Sequence, residues 1–191
     1  MTRPPPSFCN NTLTLIFNDM PTPTNDYDAE ALYRTLLGQV RAGLAGVPDA
    51  AIVGIHSGGA WLAERLAADL ALQDRLGFID VSFYRDDYAK KGLHPDVKPT
   101  SIGFNVDGAT VLLVDDVLYT GRTTRAAINV LFDFGRPARI MLAALADRGG
   151  RELPVAPDFT AVRATLAPNQ SLALQRGADG QLSLTIEEDH A

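Results

Sequence analysis

A chain of 191 residues is long enough to bury one continuous core without disulfides or a structural metal, and too short for a second full-sized domain. With 46% hydrophobic and 21% charged residues it falls outside the disordered and membrane-spanning classes, and 17 basic against 23 acidic side chains, net −6, exclude a global attraction to nucleic acid. Its single cysteine, Cys9, rules out an internal disulfide and a thiolate metal cluster, which points to a reducing, cytoplasmic compartment.

Residues 1–25 carry Pro4-Pro5-Pro6, Pro21 and Pro23 among Asn and Thr, a composition expected to form a disordered extension. The apolar run Leu13 to Phe17 is too short and lacks the basic flank of a signal peptide, and Met20 is a second candidate start. Residues 26–191 read as a single domain, with a core over about 28–146 and a hood and hairpin over about 147–187.

From Asp28 to Leu44, Leu32, Leu36, Leu37, Val40 and Leu44 recur at helical spacing. Ala51 to Ile55 is a short apolar run of the kind buried in a parallel sheet. It ends in Ser57-Gly58-Gly59 and precedes a helix with Leu62, Leu66 and Leu70 four residues apart. Phe78 to Tyr84 reads as a strand. Arg85 to Gly108 has no clear period, holds Lys90, Lys91, Lys98 and His94, and reads as a cationic lid loop. Val111 to Val114 is a further buried strand, followed by a helix with the stripe Ala127, Val130, Leu131, Phe134, stopped by Gly135 and Pro137. Ile140 to Leu145 is another strand. Ser171 to Gln175 and Leu182 to Ile186 alternate around Gly177-Ala178-Asp179-Gly180, a β-hairpin signal for an antiparallel flap on the main sheet.

Strands alternating with helices predict an α/β fold, a central parallel sheet flanked by helices, with ligands at the carboxyl ends of the strands. At that rim the stretch Val111, Leu112, Leu113, Val114, Asp115, Asp116, Val117, Leu118, Tyr119, Thr120, Gly121, Arg122, Thr123, Thr124 stands out. A strand delivers two carboxylates, then a hydroxyl- and glycine-containing loop opens a helix whose N-terminal amides and dipole suit a phosphate monoester. Two acids beside such a cradle can accept hydrogen bonds from sugar hydroxyls or hold a metal through water. Neither a Walker phosphate loop nor a Gly-x-Gly-x-x-Gly fingerprint is present, which argues against ATP and NAD chemistry. His56 reads as orienting the glycine turn and His190 falls at the chain end; with His94, the three histidines have no metal-site spacing.

The pattern of four apolar residues, two acids and Thr-Gly-x-Thr resembles the 5-phosphoribosyl-1-pyrophosphate (PRPP) signature of type I phosphoribosyltransferases. Tyr84-Arg85-Asp86-Asp87, the Leu118-Tyr119 pair and Asp147-Arg148-Gly149-Gly150-Arg151-Glu152-Leu153-Pro154 narrow the resemblance to the PyrR family, over about Asp26 to Pro157. It implies a phosphoribosyltransferase fold with a small hood, and transfer from PRPP to uracil with Mg²⁺, giving UMP and pyrophosphate. The metal is held through PRPP and water, not directly by the protein. It implies further that Asp115, Asp116 and Arg85 are catalytic, residues 111–124 bind PRPP, Ser57, Gly58 and Gly59 meet pyrophosphate, and Asp147, Arg148 and Gly149 frame the base.

The chain departs from its relatives at Gly58, where they often carry Arg, and at Gly150, where they commonly carry His. Relatives that regulate by binding messenger RNA have Gly-Lys-Asn-x-Pro-Thr-Ser where this chain reads Ala161 to Ala167, which weakens an RNA-leader partner. The alternative is an RNA-binding regulator that senses UMP or PRPP with little catalysis. The resemblance also implies a homo-oligomer, and nothing in the sequence suggests a membrane partner.

Overall fold

The computed structural model describes residues 26–81 and 99–188. Cys9 and the rest of residues 1–25, the segment with Arg85, Lys90, Lys91, His94 and Lys98, and His190 lie outside the described residues. The elements run β1 (Asp26–Tyr27), α1 (Ala29–Gly43), β2 (Ala50–Ile55), α2 (Gly58–Asp69), a 3₁₀ turn (Gln73–Arg75), β3 (Leu76–Ile79) and β4 (Ser101–Ile102). They continue with β5 (Thr110–Leu118), α3 (Arg122–Asp133), β6 (Arg139–Asp147), β7 (Phe159–Arg163), β8 (Gln170–Arg176) and β9 (Leu182–Glu188).

A six-stranded sheet in the order β4-β3-β2-β5-β6-β7 forms the centre, parallel except for β4. This is the expected α/β architecture, built because β2 and β5 are apolar on both faces and each is followed by a helix that covers the sheet. Leu112 and Val114 of β5 face a core with Leu36 and Val40 of α1 and Leu62 and Leu66 of α2, while Val111 and Leu113 face Ala127 and Leu131 of α3.

Three readings are corrected. The hairpin β8-β9 forms, but with β1 it makes its own three-stranded sheet rather than a flap on the central one. Its Leu174, Leu182 and Leu184 join the core shared with α1 and α2, so the hairpin is anchored by packing and not by pairing with the central sheet. The loop read as running to Gly108 ends sooner, because Ile102, Phe104 and Val106 pack toward α3 and Ser101–Ile102 pairs antiparallel with β3. Phe134, counted in the buried stripe of α3, is 45% exposed: the helix ends at Asp133, and Phe134 is its C-cap, beyond the last turn that packs on the sheet.

An ion-pair network ties the small sheet to the helices. Glu30 on α1 accepts both Arg65 guanidinium nitrogens at 2.8 Å and the Leu182 amide at 2.9 Å. The same guanidinium covers the Tyr33 ring at 4.0 Å, and the Tyr33 hydroxyl donates to Asp69 at 2.6 Å. The Arg65 hydrogen bonds hold the Glu30 carboxyl at about 2, below its ordinary 4.5, against the opposing effect of burial. Burial, then the Asp69 carboxylate, pushes the Tyr33 hydroxyl above its ordinary range. Because the folded value of Glu30 is depressed, its contribution is complete above about pH 4.5 and lost as the pH falls toward about 2. With 34% of the Arg65 side chain and 27% of the Glu30 side chain open to solvent, this is worth about 1 kcal/mol. Glu30→Gln is expected to cost that much at pH 7 and to narrow its deficit progressively below pH 4.5, read from urea midpoints across pH.

Candidate active site at the carboxyl rim of the sheet

Register places three loops side by side. Gly54 of β2 pairs with Val114, so Asp115 comes level with Ile55, the last residue of β2, and Asp116 with the turn that leads into α2. On the other side Leu118 pairs with Asp147, so the loop after β5 and the segment after β6 leave the sheet together.

The acidic pair is not at the end of a strand, as expected, but inside one, because β5 runs on to Leu118. Alternation within β5 therefore sends the two carboxylates to opposite faces. Asp116 goes with Leu112 and Val114 toward α2, where its carboxylate lies against Gly58: a Cβ added at Gly58 would collide with it. Asp115 goes to the α3 face, is 6% exposed, and its Oδ1 accepts the Asp116 amide at 3.0 Å. Val111, Leu112, Leu113 and Val114 are fully buried.

Ser57, Gly58 and Gly59 follow β2, with a cis peptide between His56 and Ser57. The backbone of Gly59 presses so closely on β5 that a Cβ there would strike the Val114 carbonyl oxygen. Close approach to the acidic strand, beyond a tight turn, thus requires both glycines. His56 stacks on Phe78 with ring centroids 5.5 Å apart, and its amide donates to the Ile79 carbonyl at 2.9 Å.

Beyond β5, Tyr119 is 39% exposed and Gly121 takes φ +92° at the start of α3. The Thr120 hydroxyl accepts the Arg122 amide at 3.3 Å. Its carbonyl is occupied by the amides of Glu152 and Leu153 at 3.0 and 3.1 Å, so it is not available to α3. Amides of the first helical turn have no intrahelical acceptor, which leaves those of Thr123 and Thr124 for an anion. Thr124 is 1% exposed and its hydroxyl has no hydrogen-bond partner among the described residues. The Arg122 side chain is turned away to Glu152, its Nε donating at 3.1 Å, and its amide is taken by the Thr120 hydroxyl.

The segment after β6 is held by an arginine. Arg151 donates to the Leu118, Tyr119 and Gly149 carbonyls at 3.2, 2.6 and 3.2 Å, to Asp147 Oδ1 at 2.6 Å and to the Val155 carbonyl at 3.1 Å. Asp147 Oδ1 also accepts the Gly149 amide at 2.9 Å, which gives this carboxylate a framing role in the turn. Arg148 lays its guanidinium over the Tyr119 ring at 4.0 Å. The sequence pointed to Asp147, Arg148 and Gly149, and missed that Arg151 and Glu152 fasten this segment to the phosphate loop; a run of alternating charges in a loop carries no signal for its partners. Arg151→Met is expected to strand these carbonyls and cost about 2–4 kcal/mol in a denaturant titration, with Arg151→Lys recovering only part because it lacks the planar fork.

Among the described residues no group of three His, Cys, Asp or Glu could hold a metal by itself. Two carboxylates beside an anion cradle do fit a divalent ion held mainly by a substrate's own oxygens. No helix among the described residues is long and apolar enough to cross a membrane.

Comparison with known proteins agrees with this geometry. Residues 25–171 match the phosphoribosyl transferase domain family. Over 155 residues the chain is 55% identical to the bifunctional protein PyrR of Ralstonia nicotianae, covering 80% of this chain and 88% of that one. With the bifunctional protein PyrR of Pseudomonas aeruginosa PAO1 it shares 48% over 148 residues, 76% of this chain and 86% of the other. Among solved structures, a purine phosphoribosyltransferase from Pyrococcus horikoshii superposes with a TM-score of 0.53 at 30% identity, over 72% of this chain and 83% of that chain. A hypoxanthine-guanine phosphoribosyltransferase from Bacillus anthracis shares the fold, with a TM-score of 0.57 at 16% identity over 72% and 81%. A rim formed by a glycine loop, an acidic strand and a helix-opening phosphate loop, together with these likenesses over most of both chains, makes this protein a member of the PyrR family of type I phosphoribosyltransferases.

Proposed function

We propose that the chain transfers the ribosyl-5-phosphate group of PRPP to N1 of uracil, releasing pyrophosphate and forming UMP. The observation that carries this reading is the convergence of the Ser57–Gly59 loop, Asp115–Asp116 and the free amides opening α3 at one edge of the sheet. The Thr123 and Thr124 amides, with the dipole of α3 behind them, bind the 5-phosphate. Asp115 and Asp116, on opposite sides of β5, hold ribose hydroxyls, and the glycine loop brings backbone amides to pyrophosphate. Arg85, outside the described residues, is assigned to the same leaving group. Mg²⁺ would be held through PRPP oxygens and water beside Asp115 and Asp116, where it would supply charge neutralisation for the pyrophosphate leaving group. The reaction asks for little proton transfer from the protein; placing the two substrates and excluding water do most of the work.

Incubating the chain with labelled uracil, PRPP and Mg²⁺ is expected to give labelled UMP. Turnover of another base but not uracil would reassign the substrate. The competing reading, an RNA-binding regulator that only senses nucleotides, predicts retention of a pyrimidine-operon leader that is enhanced by UMP and falls steeply with salt. Leader binding and catalysis can coexist in one chain, as the resemblance to the PyrR family implies. The acidic net charge favours catalysis as the principal role.

A further inference from the structure

We infer that Tyr119 is a positioning residue for base recognition: it holds the Arg148 guanidinium flat at the rim, and Gly150 is the residue whose missing side chain lets the ring lie there. This rests on the reading of the rim as a phosphoribosyltransferase site.

Tyr119 and Arg148 are the first residues beyond the paired ends of β5 and β6, since Leu118 and Asp147 are register partners. They therefore rise from adjacent strands at the edge where the substrate loops meet. The guanidinium carbon sits 4.0 Å from the ring centroid, and the Arg148 amide donates to the Leu118 carbonyl at 3.0 Å, fixing the backbone below. Among the described residues the ring is the guanidinium's one partner, in contrast to Arg151 beside it, whose donors are spent on carbonyls and Asp147. A guanidinium stacked on an aromatic face keeps its in-plane N–H groups for a ligand, and that fork suits a planar ring bearing carbonyl oxygens.

Gly150 makes this packing possible. It takes φ +67°, and a Cβ added to it would stand 2.5 Å from Tyr119 Cε2 and 3.1 Å from Cδ2. Any side chain there would drive the ring off, and Arg148 would lose its support. Because Tyr119 is 39% exposed, its ring contributes little to the core, and what it touches is the Arg148 guanidinium and the Gly150 backbone.

The test is steady-state kinetics on five variants: Tyr119→Leu, Tyr119→Phe, Arg148→Met, the Arg148→Met/Tyr119→Leu double and Gly150→Ala. Tyr119→Leu is expected to raise KM for uracil at least about tenfold while KM for PRPP moves less than about twofold, and Tyr119→Phe, which keeps a ring to stack on, restores most of the loss. In an Arg148→Met background the Tyr119→Leu change is expected to add less than about twofold, because both changes remove one arrangement. Gly150→Ala is expected to reproduce the Tyr119→Leu pattern. Equal shifts in both KM values, or full additivity of the pair, would overturn the inference while leaving uracil transfer intact. If the wild type uses hypoxanthine, guanine, cytosine or orotate in place of uracil, the same split measured with that base upholds Tyr119 and removes only the uracil assignment. A chain that turns over none of the five removes both.

Discussion

Replacing Asp115 and Asp116 together by alanine is expected to lower kcat/KM by at least about 10³-fold, with a folded protein left behind. The two single changes separate the roles. Asp116 is only half-buried, and its carboxylate rests against the glycine loop, so Asp116→Ala removes a ligand contact at little cost to the fold. Asp115 is buried on the other face and accepts the Asp116 amide, so Asp115→Asn, which preserves the acceptor, separates charge from scaffolding better than Asp115→Ala. Both singles are expected to weaken PRPP binding by calorimetry; unchanged affinity in the double variant would show that the acids do not meet the sugar.

Gly59→Ala is expected to be nearly as damaging, for a reason of shape. The added methyl meets the Val114 carbonyl and the Asp115 Cα, which belong to the central strand and cannot rotate aside. The loop must lift away from β5, at a cost of about 1–3 kcal/mol, and displacement of the pyrophosphate loop by even 1 Å is expected to lower turnover about 10²-fold. Gly58→Ala meets Asp116 instead, whose carboxylate can rotate aside although its Cβ cannot, so the stability loss is smaller than at Gly59 while the acid is disturbed directly. Gly38→Ala is the control: nothing lies within 4 Å of that position on α1, and the change is expected to stabilise the helix by about 0.5–1 kcal/mol. Loss of stability ranked Gly59 over Gly58 over Gly38, in thermal or urea melts, is the expected order.

Much of this architecture was legible because burial has a period. The apolar runs of β2, β5 and β6 and the stripes of α1 and α2 are each long enough to reveal their geometry, and the phosphate loop was readable as a strand running through glycine into a helix. Short elements left no such trace: β1 and β4 are two residues each, and β7, half-buried at an edge, shows no clean alternation. Ile102, Phe104 and Val106 did alternate, but Gly103 and Asn105 between them, both turn-forming residues, hid the pattern inside what read as a loop. In the site, residue types betrayed which positions matter but not how they face. That Asp115 and Asp116 diverge follows only from β5 continuing past them, and the Thr120 carbonyl's two bonds to residues 152 and 153 join segments about thirty positions apart. Arg122 illustrates the limit: in sequence it is a cation beside a phosphate loop, whereas its side chain pairs with Glu152.

Titrating PRPP with Mg²⁺ into the folded protein in a calorimeter addresses the central claim without assuming a base. Saturable binding of one PRPP per chain, weakened by Asp116→Ala and competed by UMP, is the expected result. A folded chain that gives no binding heat with either PRPP or UMP would contradict the assignment of this rim to a sugar phosphate.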